Sequence, residues 1–581
     1  MISPRLTGLF AVVLLGATLP ARAAEPPADL IVLGGKILTV DAGFSTASAV
    51  AIRGGVFVRV GSDAEARTLV GEQTRVIDVH GKTVVPGLIE SHVHATGVAR
   101  AEAQQPFVQL GSIAEIQQWV RKKVETTPEA QWIQIPRIDL TRLRERRLPT
   151  RAELDAAAAD RPVVFNWQYA SRQVQVLNTA ALRAAHITRD TPDPPGGKIV
   201  KGAGGEPTGI LEDPRGLTSG YLRAKPVSEA EYLRELEAVL HHYNRIGITS
   251  IMERNSNPDG YHSYQQLERA GRLTARVNVT IGLRSDGTVE GTEKVIRAFP
   301  FGPGDGDDWV RVGPLKIAVD GGILYGTAYL REPYGPQAAA LYGLTDPDYR
   351  GTLSLTADKV RNMIRTGHRL GWPMCSHVTG DAGVDLVLDG VEAANRDQPI
   401  KDRRYTLIHA YFPNSDAVRR AAALGVCVDT QPAWYYKDAD ALAPALGEDR
   451  MKHFIGLADW LRGGVTVAIN SDHMFGLDPN LSLNPYNPFL AMGTAVTRKT
   501  EGGQVIAPEQ KVARADALRM VTIHAAYLSF DETRKGSIEV GKLGDLAVLS
   551  DDLLSCDPDR IKEIQVLATV VGGKVVYEAG P

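Results

Sequence analysis

Short apolar runs broken by glycine pairs occupy both ends of this chain, while longer alternations of apolar runs and helical patterns fill its middle. Near the start, Asp29 to Leu33 leads into Gly34-Gly35 and then Lys36 to Val40, a pattern that predicts a hairpin. Ala49 to Ile52, Gly54-Gly55 and Val56 to Val60 repeat it. The other end mirrors this with Asp545 to Leu549, then Val566 to Val571, Gly572-Gly573 and Lys574 to Tyr577. Two β-rich ends predict one small β-sandwich domain assembled from residues 24–85 and 530–581. Between them, residues 86–529 read as α/β. Val84 to His94 is the first strand candidate, and from residue 245 apolar runs recur at the spacing of a (β/α)8 barrel. These runs are 247–252, 276–281, 315–319, 373–377, 404–409, 426–429 and 465–472. The stretch of about 98–240 differs in character, with helical patterns at 113–124 and 151–159 separated by loops.

The composition narrows the function classes. A hydrophobic share of 44% with 23% charged residues suits a soluble globular protein, and 581 residues suffice for a barrel with additions. A formal net charge of -3 gives no electrostatic reason to expect nucleic acid or an anionic membrane as a partner. Cys375, Cys427 and Cys556 are too scattered for a disulfide framework or a cysteine zinc site. Self-association is left open.

Residues 1–23 have the three parts of an export signal: Arg5, the apolar run Leu9 to Leu15, and the small-x-small pattern Ala21-Arg22-Ala23. The run is too short to span a membrane. The expectation is cleavage after Ala23, a periplasmic or secreted protein, and no membrane span once the signal is removed.

The stretch VVPGLIESHVHATG, residues 84 to 97, carries the first chemistry. On a strand, His92 and His94 project to one side and Val93 into packing, so the pair supplies half of a metal site. The string PGLIESHVH resembles the first-strand signature of the amidohydrolase superfamily. GSIEVGKLGDLAVL, residues 536 to 549, is similar to the strand by which that family re-enters its β-domain. LPTRAELDAAAADRPV (148–163) and TPDPPGGKIVKGAGGEPTGILED (191–213) resemble the YtcJ-like branch, amidohydrolase family 3, in which a large α/β insert follows the first barrel strand. Members of that branch often carry a histidine five residues before the asparagine matching Asn178; here the position is Gln173. Gln173 and Tyr169 are therefore candidate substrate-binding residues, and Trp434, Tyr435, Tyr436 and residues 473–487 could equally line a pocket or pack.

Strand ends then supply the other candidates. Lys316 interrupts the apolar VGPLKIAVDGG; it is either a snorkelling or outward lysine or, as the resemblance implies, the lysine whose carbamate (N6-carboxylysine) bridges two ions. His377 and His409 end successive apolar runs, and Asp472 follows the eighth in AINSD. Taken alone, each is as well explained by core packing or a turn. The resemblance implies that His92, His94 and Asp472 hold one divalent ion, His377 and His409 a second, and carboxylated Lys316 both. Zinc suits these ligands, with one or two ions present; cobalt, manganese and iron stay open. His473 is not counted as a ligand. The implied activity is hydrolysis of a non-peptide carbon–nitrogen bond in a small molecule by metal-activated hydroxide, with Asp472 as general base and Lys316 in the catalytic centre. Two rivals remain: a metal-dependent isomerase or lyase on the same barrel, and a non-catalytic periplasmic binding or regulatory protein.

Overall fold

A computed structural model of the chain describes residues 25–580 apart from 170–171, 215 and 223–224. The export-signal segment 1–23 lies outside the described residues. No helix among the described residues is long and apolar enough to cross a membrane.

The centre is a (β/α)8 barrel. Its eight parallel strands are Leu88–Val93, Ile248–Ser256, Arg276–Gly282, Val310–Ala318, Met374–Val378, Thr406–His409, Cys427–Thr430 and Val467–Ile469, hydrogen-bonded in that order. A single parallel bridge between Val93 and His473 brings the last strand's extension back to the first. The apolar runs became barrel strands because helices cover their outer faces, so both faces of each strand are buried. The eighth strand stops at Ile469, short of the 472 expected; beyond it Asp472 takes a left-handed backbone at φ 52° and His473 bridges to Val93.

Two sheets stand beside the barrel. Val84, Leu546 and Val548 face a cluster with Leu30, Val32 and Ile52, whereas Val85, Ala547 and Leu549 face the main core. The period of two thus sends alternate residues of the same strands into two different cores. The six-stranded sheet contains Thr83–Pro86 and Lys36–Leu38 from one end of the chain and Leu546–Leu549, Val566–Val571 and Lys574–Glu578 from the other. The hairpin expected at Gly34-Gly35 does not form. Leu30–Leu33 pairs with Ala49–Arg53 and Arg75–Asp78 in a four-stranded sheet, while Lys36–Leu38 crosses to the six-stranded one. Gly34 sits at a φ of 64° with Asp78 Oδ1 where a Cβ would be, so the turn redirects the chain instead of closing a ladder. A five-stranded sheet (Ile133–Gln134, Val163–Tyr169, Arg172–Leu177, Lys198–Lys201, Pro207–Glu212) forms the body of the stretch between the first and second barrel strands.

Candidate metal centre

His92 is the fifth residue of the first barrel strand and wholly buried. His94 is not on that strand: it is the N-cap of the helix Ala95–Gln104, so the two imidazoles come together across a strand end and a helix start. Their ring centroids are 5.1 Å apart. Asp472 meets them from the opposite edge of the barrel closure, with Oδ1 3.3 Å from His92 Nε2 and 3.2 Å from His94 Nε2. Glu90 ties these pieces together, accepting the backbone N–H of Ser471 at 3.1 Å and of His92 at 3.3 Å through one carboxylate oxygen. Burial pushes its carboxyl up to about 8. Two non-glycine turns in left-handed backbone aim side chains into the mouth: Asp472 at φ 52°, and His409 and Ala410 at 79° and 44°.

Lys316 lies within the fourth strand, buried, with Nζ 3.2 Å from His92 Nε2. The snorkelling and outward alternatives do not describe this position. Burial pulls its ammonium down to about 8. His377 and His409 stand on adjacent strands with Nδ1 and Nε2 2.8 Å apart. Burial holds both imidazoles neutral, His377 down to about 3 and His409 well below its ordinary value.

The tautomer of His409 follows from a chain of side chains that begins at a charge. Asp429 is buried against Arg254 at 2.9 Å and, being a carboxylate, only accepts, so Asn470 Nδ2 donates to it at 2.6 Å. Asn470 Oδ1 then accepts from Gln431 Nε2 at 2.8 Å and from the Asp472 backbone N–H at 3.0 Å. Gln431 Oε1 is thereby turned to His409 Nδ1 at 2.8 Å, and Nδ1 carries the proton. His377 Nε2 reaches Gly321 O at 3.3 Å, which places its proton there. Both histidines therefore direct lone pairs at one another, an arrangement that needs a proton or a cation between them.

Asp472 Oδ1 is buried and, despite two imidazoles in reach, has no hydrogen-bond partner among the described residues. Three ligand atoms of His92, His94 and Asp472 converge within 4.8 Å of one another. Two imidazoles converging with a carboxylate oxygen that lacks a hydrogen-bond partner among the described residues are a donor set for a divalent transition metal. The residues fit.

A family model described as the amidohydrolase family matches residues 75–577. The chain belongs to the amidohydrolase family. It is an enzyme that acts on carbon–nitrogen bonds other than peptide bonds. The N-substituted formamide deformylase of Arthrobacter pascens is 29% identical to it, over 95% of this chain and 98% of the relative. The putative amidohydrolase YtcJ of Bacillus subtilis is 28% identical over 94% and 98%. Among solved structures, an uncharacterized metal-dependent hydrolase from Pyrococcus horikoshii superposes with a TM-score of 0.65 at 21% identity, covering 91% of this chain and 99% of that one, which shows a shared fold.

On this amidohydrolase scaffold the other sequence candidates separate. Trp434 donates its indole N–H to Ser471 O at 2.9 Å, beside Asp472. Tyr435 is packing: its hydroxyl bonds Arg498 O and Ile506 O. His473 is structural too, held between the Tyr243 hydroxyl and Gly476 O, and so is not directed at the cluster. Gln173 lies in the five-stranded sheet, donating to Asn166 Oδ1 at 2.8 Å. Tyr169 ends the neighbouring strand, and its side chain is outside the described residues. Glu90, Arg254, Asp429, Gln431 and Asn470 escaped the sequence reading. Only Glu90 left a signal, an acid two residues before His92 and so on the same strand face.

Proposed function

We propose that this amidohydrolase is a metal-dependent hydrolase of small N-acyl or N-formyl amines. The observation that carries the reading is the convergence of His92, His94 and Asp472 on one point with an unpaired carboxylate oxygen. His92, His94 and Asp472 would hold one divalent ion, zinc by its ligand preference, and His377 and His409 a second. Lys316, buried against His92, becomes an anionic ligand between them if its amine adds to carbon dioxide and loses a proton, giving N6-carboxylysine. A divalent cation supplies Lewis acidity, making water acidic enough to react near neutrality and polarising a carbonyl.

The chain's own groups do the rest. Asp472 takes the proton from the attacking water and returns it to the leaving nitrogen, so that a carboxylic acid (formate, for a formamide) and an amine are released. Glu90 and Asn470 hold the backbone around Asp472, and Gln431 keeps the proton of His409 on Nδ1. Likeness to a formamide deformylase supports formamides as the first substrates to try. The export pattern at residues 1–23 supports a periplasmic or secreted enzyme, for which the N-terminal sequence of the mature protein should begin at Ala24.

The test is elemental analysis of the purified protein together with a panel of formamides, amides, cyclic ureas and esters. One to two equivalents of transition metal are expected, with amine release that a chelator abolishes. Full activity without metal would refute the reading. Turnover without incorporation of oxygen from labelled water would favour the isomerase or lyase alternative.

A further inference from the structure

Two buried carboxylates outside the ligand set hold segments that carry ligands, and they do so by the same device. Glu253 lies in the second barrel strand, buried, with Val93 as its register partner on the first strand, between the two histidines. Its carboxylate crosses to the helix that begins after His94. Oε2 accepts the backbone N–H of Thr96 at 3.2 Å, and Oε1 accepts the Thr96 hydroxyl at 2.8 Å. The Tyr264 hydroxyl, from the helix Pro258–Arg269, donates to Oε2 at 2.7 Å.

Asp320 stands two residues beyond the end of the fourth strand, whose last residue, Ala318, is level with His377 on the fifth. It too is buried. Oδ1 accepts the backbone N–H of Thr379 at 2.8 Å, and Oδ2 accepts those of Gly380 and Tyr329, each at 2.9 Å. The next residue, Gly321, supplies the carbonyl that lies 3.3 Å from His377 Nε2. Fixing Asp320 therefore fixes both the chain just past His377 and the acceptor of its ring proton. The contact leaves no slack: a Cβ on Gly380 would lie 2.0 Å from Tyr329 O.

In both places a buried carboxylate captures the backbone N–H two residues after a histidine of the neighbouring segment. Burying a carboxylate is costly unless donors surround it, and each of these has three. His92 needs no such help, because it sits inside a strand whose ladder fixes it. Gln431 bonds the ring of His409. His94 lies beyond the strand end and, although it occupies the N-cap position of its helix, makes no capping bond with its own side chain. Glu253 supplies that bond from outside, and an anion there suits the positive end of the helix.

We propose that Glu253 and Asp320 are the positioning residues of the two ion positions, Glu253 setting His94 for the first ion and Asp320 setting His377 for the second. The proposal rests on the two-ion reading of the centre. Each clamp acts on one ion, because the two carboxylates share no donor and the third strand separates the strands that carry them. The chemistry of the donors separates them further. Thr96 presents a hydroxyl, which accepts as well as donates, so an amide can replace the Glu253 carboxylate by turning its NH2 to that oxygen. Asp320 faces three backbone N–H groups, which only donate, so an amide must set its NH2 against one of them.

Zinc titration of the full-length, metal-stripped protein against a chromophoric chelator tests this in two backgrounds that each keep one position. His377→Ala retains His92, His94 and Asp472; His94→Ala retains His377 and His409. In the first, Glu253→Leu should weaken zinc binding by about 10- to 100-fold, the usual effect of removing a partner behind a metal ligand, while Asp320→Asn leaves it unchanged. In the second the order reverses. Glu253→Gln should restore most of the affinity that Glu253→Leu loses. Weakening of both positions alike by either variant overturns the proposal, since a damaged fold would act on both, and so does an unchanged affinity. Uptake of fewer than two equivalents of zinc by the wild type refutes the two-ion reading. Hydrogen exchange of the metal-free protein judges the clamps independently of that reading. Segment 94–98 should lose protection in Glu253→Leu only, and segment 377–383 in Asp320→Asn only. Unchanged protection in both variants overturns the clamps whatever the metal content.

Discussion

At the N-terminal end of the barrel, Arg276 opens the third strand and meets Asp545 of the six-stranded sheet's approach in a buried two-pronged pair at 2.7 and 2.9 Å. Gly572 donates its backbone N–H to the same carboxylate. At the C-terminal end, Asp472 is buried to a similar degree, yet one of its oxygens lacks any hydrogen-bond partner among the described residues. Both ends bury an aspartate; one surrounds it with donors, and the other leaves an oxygen without one beside two imidazoles. A buried carboxylate with donors ties two sheets together, and one converging with two imidazoles is part of a group that suits a divalent cation. The difference assigns stability to one end of the barrel and chemistry to the other, as barrel architecture requires.

Asp472→Asn should separate the two most sharply. It keeps the size and one ligand oxygen but loses the base, so turnover should fall by roughly 10² to 10⁴. Metal content should largely persist and the denaturation midpoint should barely move; a loss of stability in step with activity would erase the contrast. Lys316→Ala should take metal content from about two equivalents towards about one, with activity falling alongside, since the proposed bridge is gone. Acetate or propionate should restore part of both, because their oxygens can replace those of a carbamate, whereas bicarbonate should do nothing for a variant without the amine. Wild-type metal content and rate would remove the fourth strand from the site.

At the other end, Asp545→Ala leaves Arg276 buried and unpaired and should cost about 3–5 kcal/mol in urea unfolding. The folded fraction should keep its metal and its rate; lost metal would mean that the two ends are coupled. The smallest effect is expected from Gln431→Leu, which frees the tautomer of His409. Metal affinity, read by competitive titration with a chromophoric chelator, should weaken by about 10- to 100-fold. Gln431→Glu retains an oxygen acceptor and should recover much of it. An unchanged affinity in the leucine variant would show that the side-chain chain from Arg254 does not govern the site.

The strand-end histidines and Asp472 were legible because a barrel strand is a short apolar run and its C-terminal end is where polar residues break it. His377 and His409 each close such a run, and the structure turns them to one point. The geometry of the first pair was read less well: the spacing suggested one continuous strand, but a helix starts at His94. The hairpin at Gly34-Gly35 failed for a related reason. Local pattern supplies strand and turn, whereas the partner is chosen by which sheet offers an open edge, and Lys36–Leu38 found Thr83–Pro86.

Local sequence by itself determined the elements: alternating apolar runs, glycine breaks, and the placement of imidazoles, Lys316 and Asp472 at or within predicted strands. What only the tertiary structure decided is the wiring beneath and above them. Asp429 and Ser91 are 338 residues apart, and Gln431 and Asn470 39, yet they form one hydrogen-bonded chain with Arg254 and His409. Arg137 comes from the insert to stand between loops of opposite strands. Periodicity reports which face of an element is buried, because burial acts residue by residue along a helix or strand. It carries no record of which distant polar group will satisfy a buried donor or acceptor, because that pairing is set only when packing brings both into the same dry interior.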